Sequence, residues 1–150
     1  MLFRSGSAQR EPAIDVTQGH VYVVWADNRY GSCPSGVTEC NNGSDIFSCE
    51  YNTQTHQCPE RRMTNMTRSS RFNAYERSRP VIVYPWVAWV DTRNGMANPD
   101  IYAFNFMTGQ ELAASVSRQP ETRAWLTGTQ IYFDERIIKG SAKIQQFSLP

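Results

Sequence analysis

Short apolar or alternating runs, separated by Gly, Asn, Pro and Asp, follow one another along the chain. This pattern is typical of β-strands. The clearest series lies mid-chain, where it predicts four strands at residues 80–84, 86–90, 100–106 and 110–116. The run at 20–26 is apolar almost throughout, as expected of a strand that is covered on both faces. Since no segment keeps helical periodicity over several turns, the sequence predicts an all-β fold.

An aromatic-x-Asp-x-Arg motif recurs three times in the same strand context. A proline precedes each copy, at positions 12, 80 and 120, and Asp-Ile-aromatic follows the first two. Four strands in a repeat of about 45 residues is the pattern of β-propeller blades. The three copies are Trp25, Asp27 and Arg29, then Trp89, Asp91 and Arg93, and, more loosely, Tyr132, Asp134 and Arg136.

We therefore predict about three four-stranded antiparallel blades, which form an incomplete propeller or half of a six-bladed one. The predicted blades cover residues 12–64, 80–116 and 120–149, and the third lacks its outer strand. Residues 1–4 are predicted to be the outer strand of a preceding or closing blade. Because propellers typically have about 4–8 blades, something must cover the open sheet faces and edges. The candidates are a head-to-tail homodimer and, as the favoured alternative, further blades or partners of a longer chain.

The stretch from 87 to 109, VAWVDTRNGMANPDIYAFNFMTG, combines Trp-x-Asp-x-Arg-Asn-Gly with Asp-Ile-Tyr and a Thr-Gly hairpin. It resembles the repeat of the TolB-type bacterial β-propellers, and residues 28–31 and 44–47 match the same pattern in the first unit. The resemblance implies a propeller fold, a periplasmic, secreted or surface location, and a non-catalytic binding or scaffold role. It transfers no activity, because one fold hosts many functions.

The four cysteines lie close together, and none forms the C-x-x-C pair expected of a zinc site. Residues 45–51 are predicted to pair with a strand that returns from His56, which places two of the cysteines opposite each other at bridging distance. Two local disulfides would imply an oxidising compartment, periplasmic or extracellular. The alternative is four reduced thiols in a cytosolic protein. The predicted pairs are Cys49 with Cys58 and Cys33 with Cys40.

The aromatic, Asp and Arg side chains of the motif stand at alternate strand positions and therefore point to one face. A ring of such groups at one mouth of a propeller could hold a cation or an anionic ligand. Alternatively, each Asp pairs with its own Arg and accepts hydrogen bonds from the adjoining turn, which fixes the blade geometry. We favour this structural interpretation because the motif recurs in every unit, whereas an active site needs its groups once.

No cofactor and no metal site is predicted. Oxygen donors are dense in residues 91–95 and 98–100, which would suit calcium. The calcium loop of the Asp-x-Asn-x-Asn-Gly type that ends in Glu is nevertheless absent.

A basic connector with interleaved aromatic residues, at 64–79, is a candidate surface for a partner, and its alternative is a solvated loop over the rim. Two tryptophans outside the clear packing positions offer stacking faces for a protein or a glycan. The candidate contact residues are Arg68, Arg71, Phe72, Tyr75, Arg77, Arg79, Trp86 and Trp125.

Composition narrows the function further. The net charge is +1, without the basic surplus that nucleic-acid binding requires. The longest apolar run, at 81–90, is too short for a membrane-spanning helix, which needs roughly 20 residues. We predict a non-catalytic extracytoplasmic module that binds or assembles with proteins. The alternatives are a lectin-like carbohydrate-binding propeller and, less favoured, a glycan-active hydrolase or lyase.

Overall fold

A computed structural model describes residues 9–29, 43–64, 77–95, 97–137 and 141–150. Within these ranges all regular structure is β, and none of it is a helix that could cross a membrane. The strands are β1 (Gln9–Thr17), β2 (His20–Asp27), β3 (Asp45–Tyr51), β4 (Glu60–Arg62), β5 (Arg77–Val83), β6 (Trp86–Asp91), β7 (Asp100–Asn105), β8 (Glu111–Ser115), β9 (Glu121–Leu126), β10 (Gln130–Ile137) and β11 (Ser141–Ser148).

The strands form three antiparallel sheets in chain order. Sheet 1 runs β1-β2-β3-β4, sheet 2 runs β5-β6-β7-β8, and sheet 3 runs β9-β10-β11. Each is a meander in which neighbours along the chain are neighbours in the sheet, because two- to eight-residue turns join most strands. Gln18 and Gly19 show the tightest type, with φ values of 51° and 80° as a two-residue hairpin loop requires. The predicted all-β class and the antiparallel blades are confirmed.

The sheets stack face to face, and the core lies between them. We call the face of a sheet turned towards the next sheet its forward face and the opposite one its backward face. Val24, Ala26 and Ile46 on the forward face of sheet 1 pack with Trp89 and other residues on the backward face of sheet 2. A second cluster joins sheets 2 and 3; its fully buried members are Ala88, Ile101, Ala103 and Ile131.

Strand register shows which residues are equivalent in the three sheets. In each sheet the first and second strands pair around a bulge. Arg77 faces Asp91 across one pair, and Glu121 faces Glu135 at the same place in the next sheet. Phe133 of sheet 3 is therefore the counterpart of Trp89, and both are buried against the preceding sheet.

The third motif copy is consequently one residue out of register with the other two. Tyr132, Asp134 and Arg136 lie on the forward face of sheet 3, whereas Trp89 and its equivalents lie on backward faces. The counterparts of the first two motifs are Phe133, Glu135 and Ile137. The sequence match was made on residue identity, and strand parity places those side chains on the other side of the sheet.

A disulfide joins Cys49 and Cys58, with a Cα–Cα distance of 5.3 Å. The predicted pair is confirmed, but the predicted register is wrong by two residues. Cys49 lies opposite Glu60, so Cys58 is its diagonal neighbour, and β4 begins later than His56. Diagonal neighbours across a hairpin are also close enough for a bridge here. Cys33, Cys40 and residues 1–4 lie outside the described residues.

Candidate functional site

A buried network of charges joins sheets 1 and 2. The Arg77 side chain is 7% exposed and donates from Nε to Asp91 Oδ2 at 2.9 Å and from an Nη atom to Asp45 Oδ1 at 2.9 Å. Asp45 also accepts hydrogen bonds from Arg62 and from the Thr64 hydroxyl, the latter at 2.9 Å. Both carboxylates are almost fully buried, and their charge is balanced by guanidinium groups.

Asp91 is also the centre of its own motif. It accepts a hydrogen bond from Trp89 Nε1 at 3.0 Å and bonds from the backbone N and the side chain of Arg93. Burial opposes ionisation of this carboxyl, but the hydrogen bonds from Arg93 and Trp89 and the charge of Arg77 outweigh it and lower its pKa. Arg93 lies over the ring of Tyr102, 3.8 Å from its centroid.

The first motif copy repeats this geometry on the backward face of sheet 1. Asp27 accepts from Arg29 N and Arg29 Nε, both at 2.8 Å, and Arg29 reaches on to Glu60. Burial again opposes ionisation, and the hydrogen bonds from Arg29 nevertheless lower the pKa of Asp27. In both copies the Asp accepts hydrogen bonds from its own Arg. These bonds connect the end of the strand with the turn that follows it.

Asp134 of the third copy has different partners. It accepts hydrogen bonds from the backbone N atoms of Thr122 and Arg123, at 2.9 and 2.7 Å, and from the Thr122 hydroxyl at 2.8 Å. Among the described ion pairs, none joins Asp134 to Arg136. Here the carboxylate holds the bulge between β9 and β10.

The inner strands of the three sheets, β1, β5 and β9, meet around a shallow cavity of about 360 Å³. Glu11 and Arg79 occupy equivalent places in it, each just before a proline and each with positive φ, 55° and 51°. Arg79 donates from its backbone N to Glu11 Oε2 at 2.5 Å and from its side chain to Thr122 O at 2.6 Å. Non-glycine residues in this conformation are strained and often mark functional sites. Trp125, 46% exposed, lies at the edge of the cavity.

The forward face of sheet 3 is the exposed counterpart of the two buried interfaces. Ile46 and Ile101 are fully buried on the forward faces of sheets 1 and 2, whereas Ile144 at the same register position is 60% exposed. A neighbouring cavity of about 390 Å³ is lined by Arg79, Arg123 and Arg136 against the carboxylate of Asp134 alone. Ile144 lies directly opposite Asp134 in the sheet, so on this surface an exposed apolar side chain stands beside a mainly basic cavity.

Two predicted contact residues are corrected by the structure. Trp86 is 4% exposed and packs in the core between sheets 2 and 3, so it offers no stacking face. Arg77 opens β5 and is buried between two carboxylates rather than presented on a connector. Arg79 and Trp125 are on the surface, and their role in binding a partner stays a prediction. Arg68, Arg71, Phe72 and Tyr75 lie outside the described residues.

One further residue was missed from the sequence. Glu121 is fully buried with Asp100 at the interface of sheets 2 and 3, and no sequence motif marks it. Within the described ranges, no three histidine, cysteine, aspartate or glutamate side chains lie together as ligands of a metal ion.

No protein-family model and no curated protein matches the chain. Among solved structures, TolB from Acinetobacter baumannii is similar, with a TM-score of 0.48 and 15% sequence identity. The alignment covers 95% of this chain and 43% of that one. This chain thus spans less than half the length of that protein.

Proposed function

We propose that this chain is a non-catalytic, extracytoplasmic assembly module, in which the forward face of sheet 3 binds the backward face of sheet 1 of a second copy. The observation that carries the proposal is Ile144, which is exposed where Ile46 and Ile101 are buried. Residues on the forward face of sheet 3 occupy the same register positions as those that pack against a following sheet at the two internal interfaces, but no following sheet among the described residues covers Ile144.

The complementary surface at the other end of the stack is the β1 part of the backward face of sheet 1, since Trp25 and Phe47 on the same face are already buried. Ile14 and Val16 are 62% and 66% exposed on β1, although Ile82, the counterpart of Ile14 in sheet 2, is buried. Both internal interfaces join a forward face to a backward face, so a second copy could continue the stack by the same rule. Exposed apolar side chains of this kind are typical of interaction surfaces.

The cysteines support the proposed compartment. The Cys49–Cys58 disulfide is part of the sheet 1 core, where Cys49 is 4% exposed beside Trp25 and Phe47. Disulfides of this kind persist in oxidising compartments and are rare in the reducing cytosol. This supports a periplasmic or extracellular location.

Two single substitutions test the head-to-tail arrangement. Ile144→Glu places a charge on the forward face of sheet 3, and Ile14→Glu places one on the backward face of sheet 1. Each variant alone retains one intact face and should be monomeric in sedimentation velocity. An equimolar mixture should form a one-to-one complex, because the intact forward face of one variant meets the intact backward face of the other.

Ser141→Glu, an exposed change on the same strand as Ile144 at a position that pairs with Ile137, serves as the control for added charge. It should self-associate as the parent does. A mixture that stays monomeric, while the parent chain associates, would show that the two faces do not bind each other. If the parent chain is monomeric but binds a different protein through Ile144, that protein and not a second copy is the partner of this face.

Carbohydrate binding is the second candidate, because Trp125 is exposed beside a cavity that also contains Glu11 and Arg123. An aromatic face next to polar groups suits a sugar ring. A glycan array compared between the parent and Trp125→Ala, with a hydrolysis assay on the same sugars, separates this candidate from an assembly module and from an enzyme.

A further inference from the structure

The two sheet interfaces carry opposite charges at equivalent positions. In each, the residue that opens the inner strand lies between a carboxylate of its own sheet and one of the preceding sheet. This central residue is Arg77 between sheets 1 and 2, and it is Glu121 between sheets 2 and 3. The flanking carboxylates are Asp45 and Asp91 at the first interface and Asp100 and Glu135 at the second. Where the first interface balances its charges, the second has an acidic residue at all three equivalent positions.

No described arginine or lysine forms an ion pair with this second set, including Lys143, which lies opposite Glu135 in the β10–β11 register. Asp100 and Glu121 are both 0% exposed, yet neither they nor Glu135 belong to any ion pair among the described residues. Asp100 Oδ2 accepts a hydrogen bond from Asn94 at 2.8 Å, and Glu135 Oε2 accepts one from Gln145 at 2.8 Å. A buried carboxylate without a compensating charge is costly.

Unpartnered oxygens are concentrated at this same place. In the described part of the chain, three buried side-chain polar atoms have no hydrogen-bond partner: Asn98 Oδ1, Asp100 Oδ1 and Glu121 Oε2. All three are acceptors. The amide of Asn98 is oriented by its Nδ2, which donates to Ser117 O at 2.7 Å, so the orphan atom is the oxygen.

Local hydrogen bonds hold these residues next to one another. Ser115 and Ser117 donate to Glu121 Oε1 at 3.0 and 2.7 Å, which leaves Oε2 free. Glu121 N donates to Pro99 O at 2.8 Å, between Asn98 and Asp100 in the chain. Burial, with smaller contributions from the charges of Asp100 and Glu135, raises the pKa of Glu121 against the opposing effect of the two serine hydroxyls.

We propose that Asp100, Glu121 and Asn98 bind a calcium ion at the interface of sheets 2 and 3, in the position that the Arg77 guanidinium occupies at the preceding interface. Carboxylates with a neutral amide oxygen are the donors that this hard cation takes. One ion satisfies all three orphan oxygens and neutralises two buried charges. A proton shared between Asp100 and Glu121 would satisfy two of the oxygens and leave Asn98 Oδ1 without a partner. Calcium is favoured over magnesium because its coordination geometry is flexible, whereas magnesium demands a near-ideal octahedron and gives up its waters reluctantly.

Calcium binding is measured by isothermal titration calorimetry of the chelator-treated chain at pH 7, with magnesium titrated in parallel. We expect one calcium ion per chain, with an affinity in the range of extracellular modules, about 10⁻⁴ to 10⁻³ M. Thermal unfolding should shift upwards by roughly 5 °C in saturating calcium relative to chelator. Magnesium should give a much smaller shift.

Three substitutions locate the ion. Glu121→Gln and Asp100→Asn should each weaken calcium binding by tenfold or more and remove most of the thermal shift. Glu111→Gln, an exposed carboxylate that pairs with Arg93, should leave both unchanged. Glu121→Arg copies the first interface, and we expect it to be insensitive to calcium and as stable in chelator as the parent is in calcium.

The proposal is overturned by a parent chain that neither binds calcium nor responds to it, and equally by variants at Glu121 and Asp100 that bind it as the parent does. If calcium has no effect while acid stabilises the chain as Glu121 takes up a proton, the two carboxylates share a proton instead. The proposed assembly function does not depend on this site, so either result leaves it to be judged separately.

Discussion

Replacing Arg77 by Met should destabilise the chain by about 3–5 kcal/mol, because the substitution leaves two buried carboxylates without the cation between them. Asp45 keeps Arg62 and Asp91 keeps Arg93, but neither of those arginines joins the two sheets. Arg77 is the residue that connects Asp45 of sheet 1 with Asp91 of sheet 2. Urea unfolding monitored by tryptophan fluorescence measures the change in the free energy of unfolding.

Arg79→Met is the matched control, two residues further along the same strand. The Arg79 side chain is about half exposed, and its contacts are a backbone carbonyl and a distant carboxylate. Its loss should cost about 1 kcal/mol or less. Equal effects of the two substitutions would show that Arg77 contributes no more than a surface arginine and that the interface is held by apolar packing alone.

Removing the Asp91 carboxylate should have an effect of similar size. Asp91→Ala deprives Trp89 Nε1, the Arg93 side chain and Arg77 of their shared acceptor, so several buried donors are left unsatisfied at once. We expect a loss of about 3–5 kcal/mol and a lower melting temperature. A variant that folds as stably as the parent but fails to bind its partner would instead make Asp91 a binding residue.

Asp134→Ala provides the control within the same sequence motif. Asp134 is partly exposed and accepts mainly backbone hydrogen bonds, so we expect a loss of about 1–2 kcal/mol.

Acid gives a second test of Asp91. Its pKa is lowered in the folded chain, so its contribution is present above the ordinary value of 3.8 and is lost as the pH falls below it. The difference in stability between parent and Asp91→Ala should therefore shrink below that pH.

The strands could be predicted from the sequence wherever side-chain pattern and turn residues agree. In sheet 2 the predicted and observed strands differ by a few residues at their ends, because Pro, Gly and Asn bracket each apolar run. The third motif copy, by contrast, was assigned to the wrong face of its strand. Tyr132, Asp134 and Arg136 match by identity, but the alternation of Ile131 and Phe133 identifies the buried face, and that signal was available.

The charged network around Arg77 could not be predicted from the sequence. Arg77 stands in a basic stretch and was interpreted as exposed, because its partners Asp45 and Asp91 are distant in the chain and meet it only when the sheets stack. Trp86 is predicted from the sequence to offer a stacking face, whereas the packing of sheets 2 and 3 buries it. Glu121 resembles any surface glutamate until its register with Arg77 is known.

The mass of the unmodified chain in solution tests the central claim most directly, since the proposed assembly rests on the exposed side chains of sheets 1 and 3. Size-exclusion chromatography with light scattering, over a wide range of protein concentration, should show a mass that rises from 17.1 kDa towards twice that value or more. The substitution Ile144→Glu should abolish the rise. A stable, non-aggregating monomer at every concentration would contradict the account, because the exposed Ile14, Val16 and Ile144 side chains would then remain in water without a partner.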